Sequence, residues 1–412
     1  MDDFKLSWRN IWRNKRRSAL TILAIVFATA LLVFMLSFQL GSYDDMINAS
    51  VTLDTGHIQI MPTGYHADQK IRNVIDSPDK LLDTVKQLPS VKGAAARAES
   101  FCLASSDNRT KGVLISGVHP AQEQTVSRLS KSMKTGEYLA ADDADAAVIG
   151  LLLAKQLKLG IGDELTLLGQ GRDGSIAAGI VTIKGIFQSG VDEFDRNVIQ
   201  VPYAYFNDMF YMNHTAHRIV VLLDSLKTIE KSRSAIASRI DSARMDTDRL
   251  KIFTWDILMP GLRQTIRLDL ISGFIMYGIL IIVVCFSILN TFLMSILERK
   301  KEYGVLIAIG TTPLRLMKFV LTESMLMTLI GLIIGIGAGT AVTLFFSHHG
   351  IGLGEASDML SQYGISDRLF PKLTLVSLVS GPLLILVFTF LTALIPALRI
   401  RTLRPVEAIH SI

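Results

Sequence analysis

Residues 298–315 have the sequence ERKKEYGVLIAIGTTPLR, a short segment with charged residues at its start that separates two long apolar runs. The segment is too polar to cross a bilayer and too short to fold as a domain. Pro313 is expected to stop a helix that begins at the charged end. The i, i+3, i+4, i+7 positions of one helix face are occupied by Tyr303, Leu306, Ile307 and Gly310. This pattern is compatible with a helix that contacts a partner protein and equally with a solvated loop.

Four stretches are long and apolar enough to cross a bilayer, in a chain of 412 residues of which 50% are hydrophobic. They are residues 19–40, 273–297, 318–346 and 373–398. Each has close to or more than the ~20 apolar residues that span a hydrocarbon core. The first stretch is longer than the apolar core of a signal peptide, and no small-residue cleavage site follows it. We therefore expect it to remain as an uncleaved membrane anchor.

Basic residues cluster beside the ends of these stretches. Residues 1–17, 298–318 and 399–412 carry net charges of +4, +3 and +2, whereas the whole chain carries only +5. The positive-inside rule places all three clusters in the cytoplasm, with both termini inside. We expect these clusters to contact membrane lipid rather than nucleic acid. The predicted cytoplasmic segments are an amphipathic N-terminus at 1–18, the segment 298–317 and a tail at 399–412, with a short outer loop at 347–372.

The long segment 41–272 is predicted to lie outside the cytoplasm. Both of its ends follow a β-α-β pattern, with strands at 57–61, 98–104, 218–223 and 250–254 and helices at 78–88 and 226–240. Between them, at about 111–217, glycines separate short alternating runs, which predicts a β-rich insertion with one helix at about 149–159. The predicted fold class is an α-helical membrane protein with four transmembrane helices and a large α+β extracytoplasmic domain, in which a split α/β lobe contains an inserted β-rich lobe.

No pattern in the chain predicts catalysis. The phosphate-binding run G-x-x-x-x-G-K-[S/T] is absent, so we expect no bound ATP and no other cofactor. His214 and His217 have a spacing that zinc can use on a helix, but no further ligands accompany them. Cys102 and Cys285 lie in different segments and are not expected to pair. The sequence therefore predicts neither an active site nor a metal site.

Small and polar residues within the apolar stretches indicate helix packing. Gly331, Gly335 and Gly339 follow a four-residue spacing that lets two helices approach closely. Their partner is either the chain's own first span or another protomer. Asn290 and Glu323 are the intramembrane polar positions of interest, and such groups are costly in a bilayer unless they are paired. We expect Glu323 to serve packing or coupling rather than a proton path.

The segment after the second span resembles the coupling helix of FtsX-like permeases of the type VII ABC superfamily, which includes MacB-like efflux permeases and Lol-type lipoprotein-releasing permeases. Its matching residues are Glu298, Arg299, Glu302, Gly304, Ala308 and Gly310. Tyr303 stands where an aliphatic residue is usual. The resemblance implies that this helix docks on a separate ABC ATPase. Residues 113–120, 136–139 and 149–163 resemble the Lol-type outer domain, with its split porter-like lobe, and residues 395–408 resemble the family's C-terminus.

The resemblance implies a non-catalytic permease subunit in the bacterial inner membrane, with its large domain in the periplasm. Its implied partners are a cytoplasmic ABC ATPase dimer that binds the ATP, a second permease in a homo- or heterodimer, and a periplasmic lipoprotein, chaperone or adaptor. Lipoprotein release is the favoured function. The alternatives are MacB-like efflux of peptides, macrolides or siderophores, FtsX-like mechanical regulation of a periplasmic hydrolase, and membrane-anchored binding without energy coupling.

Overall fold

The structure, a computed structural model, describes residues 2–13, 15–107, 109–243, 249–352, 354 and 368–400. The chain divides into two compact units. Among the described residues, the helical unit comprises 2–43, 265–352 and 368–400, and the sheet unit comprises 44–264 together with residue 354. The predicted tail beyond residue 400 and most of the predicted outer loop lie outside the described residues.

Four helices of the described chain are long and apolar enough to cross a membrane. They are the first long helix Lys15–Ser50, the second Pro260–Glu298, the third Pro313–His349 and the fourth Leu375–Ile400. Each of the first three extends beyond its predicted span at both ends. Two shorter helices also belong to this unit, the N-terminal helix Asp2–Arg13 and the connecting helix Lys300–Ala308. A two-stranded pair joins Ile351–Gly352 to Arg368–Leu369.

The glycine series on the third long helix faces the first long helix of the same chain. A Cβ atom added at Gly331 would lie 2.7 Å from Ile25 Cγ2, and one added at Gly335 would lie 2.6 Å from Thr29 Cβ. At Gly339 it would lie 2.9 Å from the carbonyl oxygen of Ala30. The two backbones therefore approach too closely for any larger residue. Of the two partners that the sequence left open, the structure gives the chain's own first span.

The sheet unit is built on one ten-stranded sheet. Its strands are β1 Ile58–Pro62, β2 Val91–Ser106, β3 Arg109–Val118, β4 Met133–Gly136, β5 Ala146–Gly150, β6 Glu164–Gln170, β7 Ile176–Phe187, β8 Val198–Pro202, β9 Arg218–Leu223 and β10 Leu250–Thr254. The strand order is β10-β1-β9-β2-β3-β8-β5-β7-β4, and β6 pairs with both β2 and β7. The β3–β8 and β5–β7 pairs are parallel, and the other pairs are antiparallel.

Two large hydrophobic clusters lie against this sheet. The first is formed by residues near both ends of the segment 44–264, and the second mainly by residues of its middle. One includes Ile58, Leu81 and Ile219 and also receives the helix Ile229–Ser242. The other includes Ile115, Leu165 and Phe206, all between residues 111 and 217. The long strand β2 contributes residues to both clusters, so the two parts share a strand rather than being joined by a linker.

The structure corrects two local predictions. Ile149 and Gly150 end strand β5, and the helix that was expected to start at 149 spans only Leu151–Leu157. The middle part also contains the helices Pro120–Val126, Asp192–Asn197 and Tyr203–Met209, so its described residues form four α-helices where the sequence predicted one within a β-rich insertion. These helices are at most seven residues long, too short for hydrophobic periodicity to reveal them.

Candidate coupling site

The connecting helix Lys300–Ala308 ends on a glycine rather than on the predicted proline. Gly310 has φ = +104°. Its N–H donates to the Ile307 carbonyl, and the Thr311 N–H donates to the Leu306 carbonyl. This is the Schellman pattern, which favours glycine because its left-handed backbone is strained in residues with a Cβ. Pro313 instead begins the third long helix, since proline is well suited to the first helical turn.

One side of the connecting helix is packed against the long helices. Tyr303 is only 3% exposed and clusters with Ile296, Leu316 and Val320, and Gly304 beside it is also buried. Burial raises the pKa of the Tyr303 hydroxyl, so the ring stays neutral. Burying a large apolar side chain contributes roughly 1.5–3 kcal/mol. The buried Tyr303 ring therefore anchors the connecting helix to the second and third long helices.

The acidic residues of the segment are paired with the N-terminal part of the chain. Arg17 donates to Glu298 at 2.7 Å, and Arg13 donates to both carboxylate oxygens of Glu302 at 2.6 and 2.7 Å. Both pairs are substantially exposed, so each contributes only about 0–1 kcal/mol. Their effect is to fix the position of the connecting helix beside the N-terminal segment.

Glu323 and Arg299 form a buried pair behind these surface contacts. Glu323 accepts a hydrogen bond from the Asn10 side chain, and its Oε2 lies 3.7 Å from Arg299 Nη1. Both side chains are less than 10% exposed. A buried carboxylate without a partner would be costly, and these contacts provide one. These contacts hold Glu323 against the N-terminal helix and Arg299, and its packing or coupling role stays a prediction.

The opposite side of the connecting helix is exposed and partly apolar. Lys301, Val305 and Ala308 follow helical spacing on this side, and Ile309 adjoins them. Val305 is 46% exposed and Ile309 is 79% exposed. Leu306, expected on the face of Tyr303, is also 42% exposed. The helix therefore offers an apolar surface beside a packed one, as a docking element requires.

Asn290 is exposed on the second long helix, away from the glycine contacts. Val283, Phe286, Met294 and Leu297 are also exposed, and together with Asn290 they form a series on this helix with successive spacings of three, four, four and three residues. An exposed amide within an apolar stripe of a membrane helix favours contact with another helix. Among the described residues, the structure gives the Asn290 amide no hydrogen-bond partner.

A buried charge network in the sheet unit was not predicted from the sequence. Arg97 is fully buried and donates to Glu123 through Nε at 2.9 Å and Nη2 at 2.6 Å. Its Nη1 donates to Asp54 Oδ1 at 2.5 Å. Arg218 donates to the same Asp54 at 3.0 and 3.1 Å and to Glu99. The available signal was an arginine within the apolar run AAARA of residues 94–98.

The network fastens the turn that follows the first long helix. Asp54 belongs to a π-helical turn, Val51–Thr55, which continues that helix and ends at Gly56. A Cβ at Gly56 would lie 2.6 Å from Val220 Cγ1 of β9, so the turn is pressed onto the sheet. Desolvation by burial lowers the pKa of Arg218, but the nearby Asp54 and Glu99 carboxylates outweigh it, so the pKa of Arg218 is raised. Burial also raises the pKa of Glu99. The arginines therefore remain charged and bind the turn to β2 and β9.

His217, whose spacing from His214 could suit zinc on a helix, is instead buried and hydrogen-bonded to the backbone of strand β2. Its Nδ1 accepts from the Glu99 N–H at 2.8 Å, and its ring stacks on Tyr65. Burial lowers its pKa to about 4. His214 lies apart at a turn with φ = +58°. Within the described residues, no group of three or more potential ligands can hold a metal.

Two family descriptions match the chain. Residues 18–239 match the MacB-like periplasmic core domain, and residues 274–405 match the C-terminal part of FtsX-like permeases. The lipoprotein-releasing system transmembrane protein LolC of Neisseria meningitidis is 22% identical, over 97% of this chain and 95% of its own length. The LolC of Xylella fastidiosa strain 9a5c is 23% identical over 78% of each chain.

The macrolide export ATP-binding/permease protein MacB 2 of Aeromonas hydrophila is 22% identical over 81% of this chain but only 51% of its own length. The solved periplasmic region of MacB from Actinobacillus actinomycetemcomitans covers 52% of this chain with a TM-score of 0.38 and 13% identity. The first description covers more than half of the chain, and the second begins where the second long helix enters its apolar run. The chain therefore belongs to the FtsX-like permeases with a MacB-like periplasmic core domain, within the type VII ABC superfamily.

Proposed function

We propose that this chain is a permease subunit whose connecting helix docks on a separate cytoplasmic ABC ATPase. The observation that carries the proposal is the two-sided character of that helix. Tyr303 and the Arg13–Glu302 pair attach one side to the chain, while Val305 and Ile309 expose an apolar surface on another. Movement of a docked ATPase would then displace the helix together with the long helices to which it is packed.

The proposed orientation places the connecting helix and both termini in the cytoplasm, in the inner membrane. The support is the basic charge of the three segments beside the apolar helices. The sheet unit, residues 44–264, would then lie in the periplasm. The first and second long helices run from residues of one unit into residues of the other, at 43–44 and 264–265. These helices, with the Asp54 network, are the proposed route by which ATPase motion reaches the sheet unit.

The proposed substrate is a lipoprotein released from the inner membrane. The support is that the LolC relatives align over most of their length, whereas MacB 2 aligns over about half of its own. Efflux of peptides, macrolides or siderophores is the second candidate, favoured by the MacB-like core domain. Capture of acylated protein by the purified complex would support release. Regulation of a periplasmic hydrolase, the FtsX-like alternative, predicts instead a bound hydrolase and no acylated protein.

A second permease is proposed to contact the exposed stripe around Asn290. Its amide can donate to and accept from a helix of a second copy or of a paralogue. The test introduces cysteine at position 290 in a chain whose Cys102 and Cys285 are replaced by alanine. Oxidative cross-linking of two identical chains supports a homodimer, and cross-linking to a different permease supports a heterodimer. Equal cross-linking from Val342→Cys on the third helix would refute a specific interface, since Val342 is similarly exposed.

The docking helix is tested by site-specific photo-cross-linking in the full-length chain in membranes. A photoreactive residue at position 309 should cross-link to an ABC ATPase, and one at the equally exposed Ile176 of the sheet unit should not. Ile309→Asp should reduce ATPase co-purification, because a carboxylate would be desolvated at the interface. Ile176→Asp is the matched control. Cross-links from 176 but not from 309, or unchanged co-purification, would contradict the proposal.

A further inference from the structure

A cavity of about 300 Å³ lies within the sheet unit, and its wall comes from both parts of that unit. The helix Pro78–Lys86, which packs in the first hydrophobic cluster, contributes Asp79 to the wall. The helix Tyr203–Met209, which packs in the second cluster, contributes Asp208. His119, directly after strand β3, also lines the cavity. A group bound there would therefore contact both parts of the sheet unit.

The buried part of the wall is apolar and aromatic. Five buried residues form it, Pro78, Ala96, Val118, Pro202 and Tyr203. The Tyr203 ring stacks on the half-buried His119 ring at 4.5 Å between centroids, and its hydroxyl donates to the Thr215 carbonyl at 2.8 Å. These contacts fix both rings in place. The result is a rigid surface of the kind against which a methylene chain packs.

The exposed part of the wall is acidic. Asp79 and Asp208 are exposed, and neither has an ion-pair partner among the described residues. Asp143, the third carboxylate of the lining, is paired, because Lys184 donates to both of its oxygens at 2.8 Å. Among the lining residues that the structure describes there is no lysine and no arginine. The wall therefore keeps two carboxylates without a cation and favours a positively charged ligand.

Two lysines of the helix Pro78–Lys86 lie outside the lining. Lys80 follows Asp79 in sequence but is rotated from it by about 100° around the helix axis, and Lys86 lies roughly 10 Å further along that axis. Burial, the largest influence, lowers the pKa of His119 below 6.5, and Lys86 adds to this effect while Asp79 opposes it. The His119 ring is therefore neutral at pH 7 and can accept a hydrogen bond from a cationic N–H.

Other ligands fit this wall less well. The start of a helix favours an anion, but Asp79 already occupies the first turn of the helix Pro78–Lys86. A metal ion is not favoured, because no group of three or more potential ligands occurs among the described residues. A small inorganic cation would leave Pro202 and Tyr203 without a contact. An arginine side chain has an apolar stem for the buried wall and a planar head whose five donors can reach two carboxylates.

We propose that this cavity receives an arginine side chain of a periplasmic partner protein, with its methylene stem against Pro202 and Tyr203 and its guanidinium at Asp79 and Asp208. The periplasmic location of the partner rests on the proposed orientation of the chain, whereas the chemistry of the cavity does not. Because two helices from different parts of the sheet unit contact the side chain, it would bind best in one arrangement of these helices. Partner binding and movement within the sheet unit would then be coupled.

The experiment uses the full-length chain in phosphatidylcholine nanodiscs and measures dissociation constants by saturation-transfer NMR. The probes are Nα-acetyl-arginine methylamide and the neutral citrulline analogue of the same shape. The arginine probe should bind about five-fold tighter, as two exposed ion pairs would give. The double variant Asp79→Asn with Asp208→Asn should remove this preference. Asp83→Asn is the matched control and should keep it, because Asp83 is exposed on the same helix but outside the lining.

A second variant tests the cavity itself rather than its charge. Ala204 is exposed and lines the cavity, so Ala204→Trp should fill it and weaken the binding of both probes by about five-fold or more. Equal binding of the two probes to the native chain would overturn the proposal. A preference that survives the double variant, or unchanged binding in Ala204→Trp, would also overturn it.

Two further outcomes separate this proposal from its neighbours. Tighter binding of putrescine than of the arginine probe would assign the cavity to free amines and overturn its assignment to a protein side chain. Accessibility labelling that places position 204 in the cytoplasm would refute the proposed orientation, and with it the periplasmic partner, while the probe binding would stand. Failure of the photo-cross-link at position 309 would refute ATPase docking alone.

Discussion

Replacing Arg97 by methionine should severely destabilise the sheet unit. Methionine preserves much of the side-chain length but removes the guanidinium that pairs with Glu123 and Asp54. Glu123 is then left 1% exposed and without its ion-pair partner, whereas Asp54 retains Arg218. Breaking a buried pair by removing one partner costs about 3–5 kcal/mol. Because a domain is stable by only about 5–15 kcal/mol, this loss would leave β2 and β9 close to opening.

The double variant Arg97→Met with Glu123→Leu separates charge from packing. It removes both members of the pair and should recover to within about 1–2 kcal/mol of the native protein, since apolar replacements of buried pairs are often near neutral. Arg233→Met is the surface control. Arg233 pairs with Glu230 at 44% and 74% side-chain exposure, so its loss should change stability by no more than about 1 kcal/mol.

The assay is hydrogen exchange followed by mass spectrometry on the full-length chain in lipid nanodiscs, read on peptides from β2 and β9. A loss of 3–5 kcal/mol corresponds to exchange faster by roughly 10² to 10³-fold or more, because each 1.4 kcal/mol is tenfold. The reasoning is refuted if Arg97→Met accelerates exchange less than about five-fold. It is also refuted if the double variant exchanges as fast as the single one, because the orphaned carboxylate would then not be the cause.

Three further predictions test other contacts. Gly335→Ala should lower stability in detergent by about 1–3 kcal/mol through overpacking against the first long helix. Gly337→Ala is the control and should be neutral or slightly stabilising, because nothing lies within 4 Å of its Cβ position. Equal losses of stability in the two variants would contradict the packing argument. Gly310→Ala should cost roughly 1–2 kcal/mol and speed exchange in the connecting helix, and unchanged exchange would exclude the left-handed cap. Folding lowers the pKa of His217 from 6.5 to about 4, so below pH 6.5 the unfolded chain binds more protons than the folded chain. Acidification to pH 5 should therefore reduce the free energy of unfolding by about 2 kcal/mol, and His217→Asn should not show this loss. The measurement is the melting temperature as a function of pH.

The long elements could be predicted because their patterns are long. Apolar runs of more than 20 residues predicted the four long helices, which the structure contains. Strand β9 has the bounds predicted for it, 218–223. Helix ends were harder. The long helices continue into polar sequence, as in Lys15–Ser50, where hydropathy stops but backbone hydrogen bonding does not.

The contacts between distant residues could not be predicted from one sequence. Arg97 and Arg218 stand 121 positions apart and meet only because β2 and β9 are neighbours, with Arg97 opposite Arg218 in register. The shared partner Asp54 lies in a π-helical turn that no periodicity marks. Similarly, the pairing of Glu302 with Arg13 spans 289 positions. Local pattern identifies such residues as charged but does not identify their partners.

The acidic residues of the segment 298–315 are paired within the chain, which makes them less suited to contact a partner protein than the sequence suggested. Glu298 and Glu302 already bind Arg17 and Arg13, and Glu323 binds Asn10, so their carboxylates are occupied within the chain. Substituting them would therefore first release the N-terminal helix and only secondarily alter a docking surface. Exposed Val305 and Ile309 are better placed to contact a partner. A push on that surface would move the connecting helix, the N-terminal helix and the base of the first long helix together, because packing at Tyr303 and these pairs join all three.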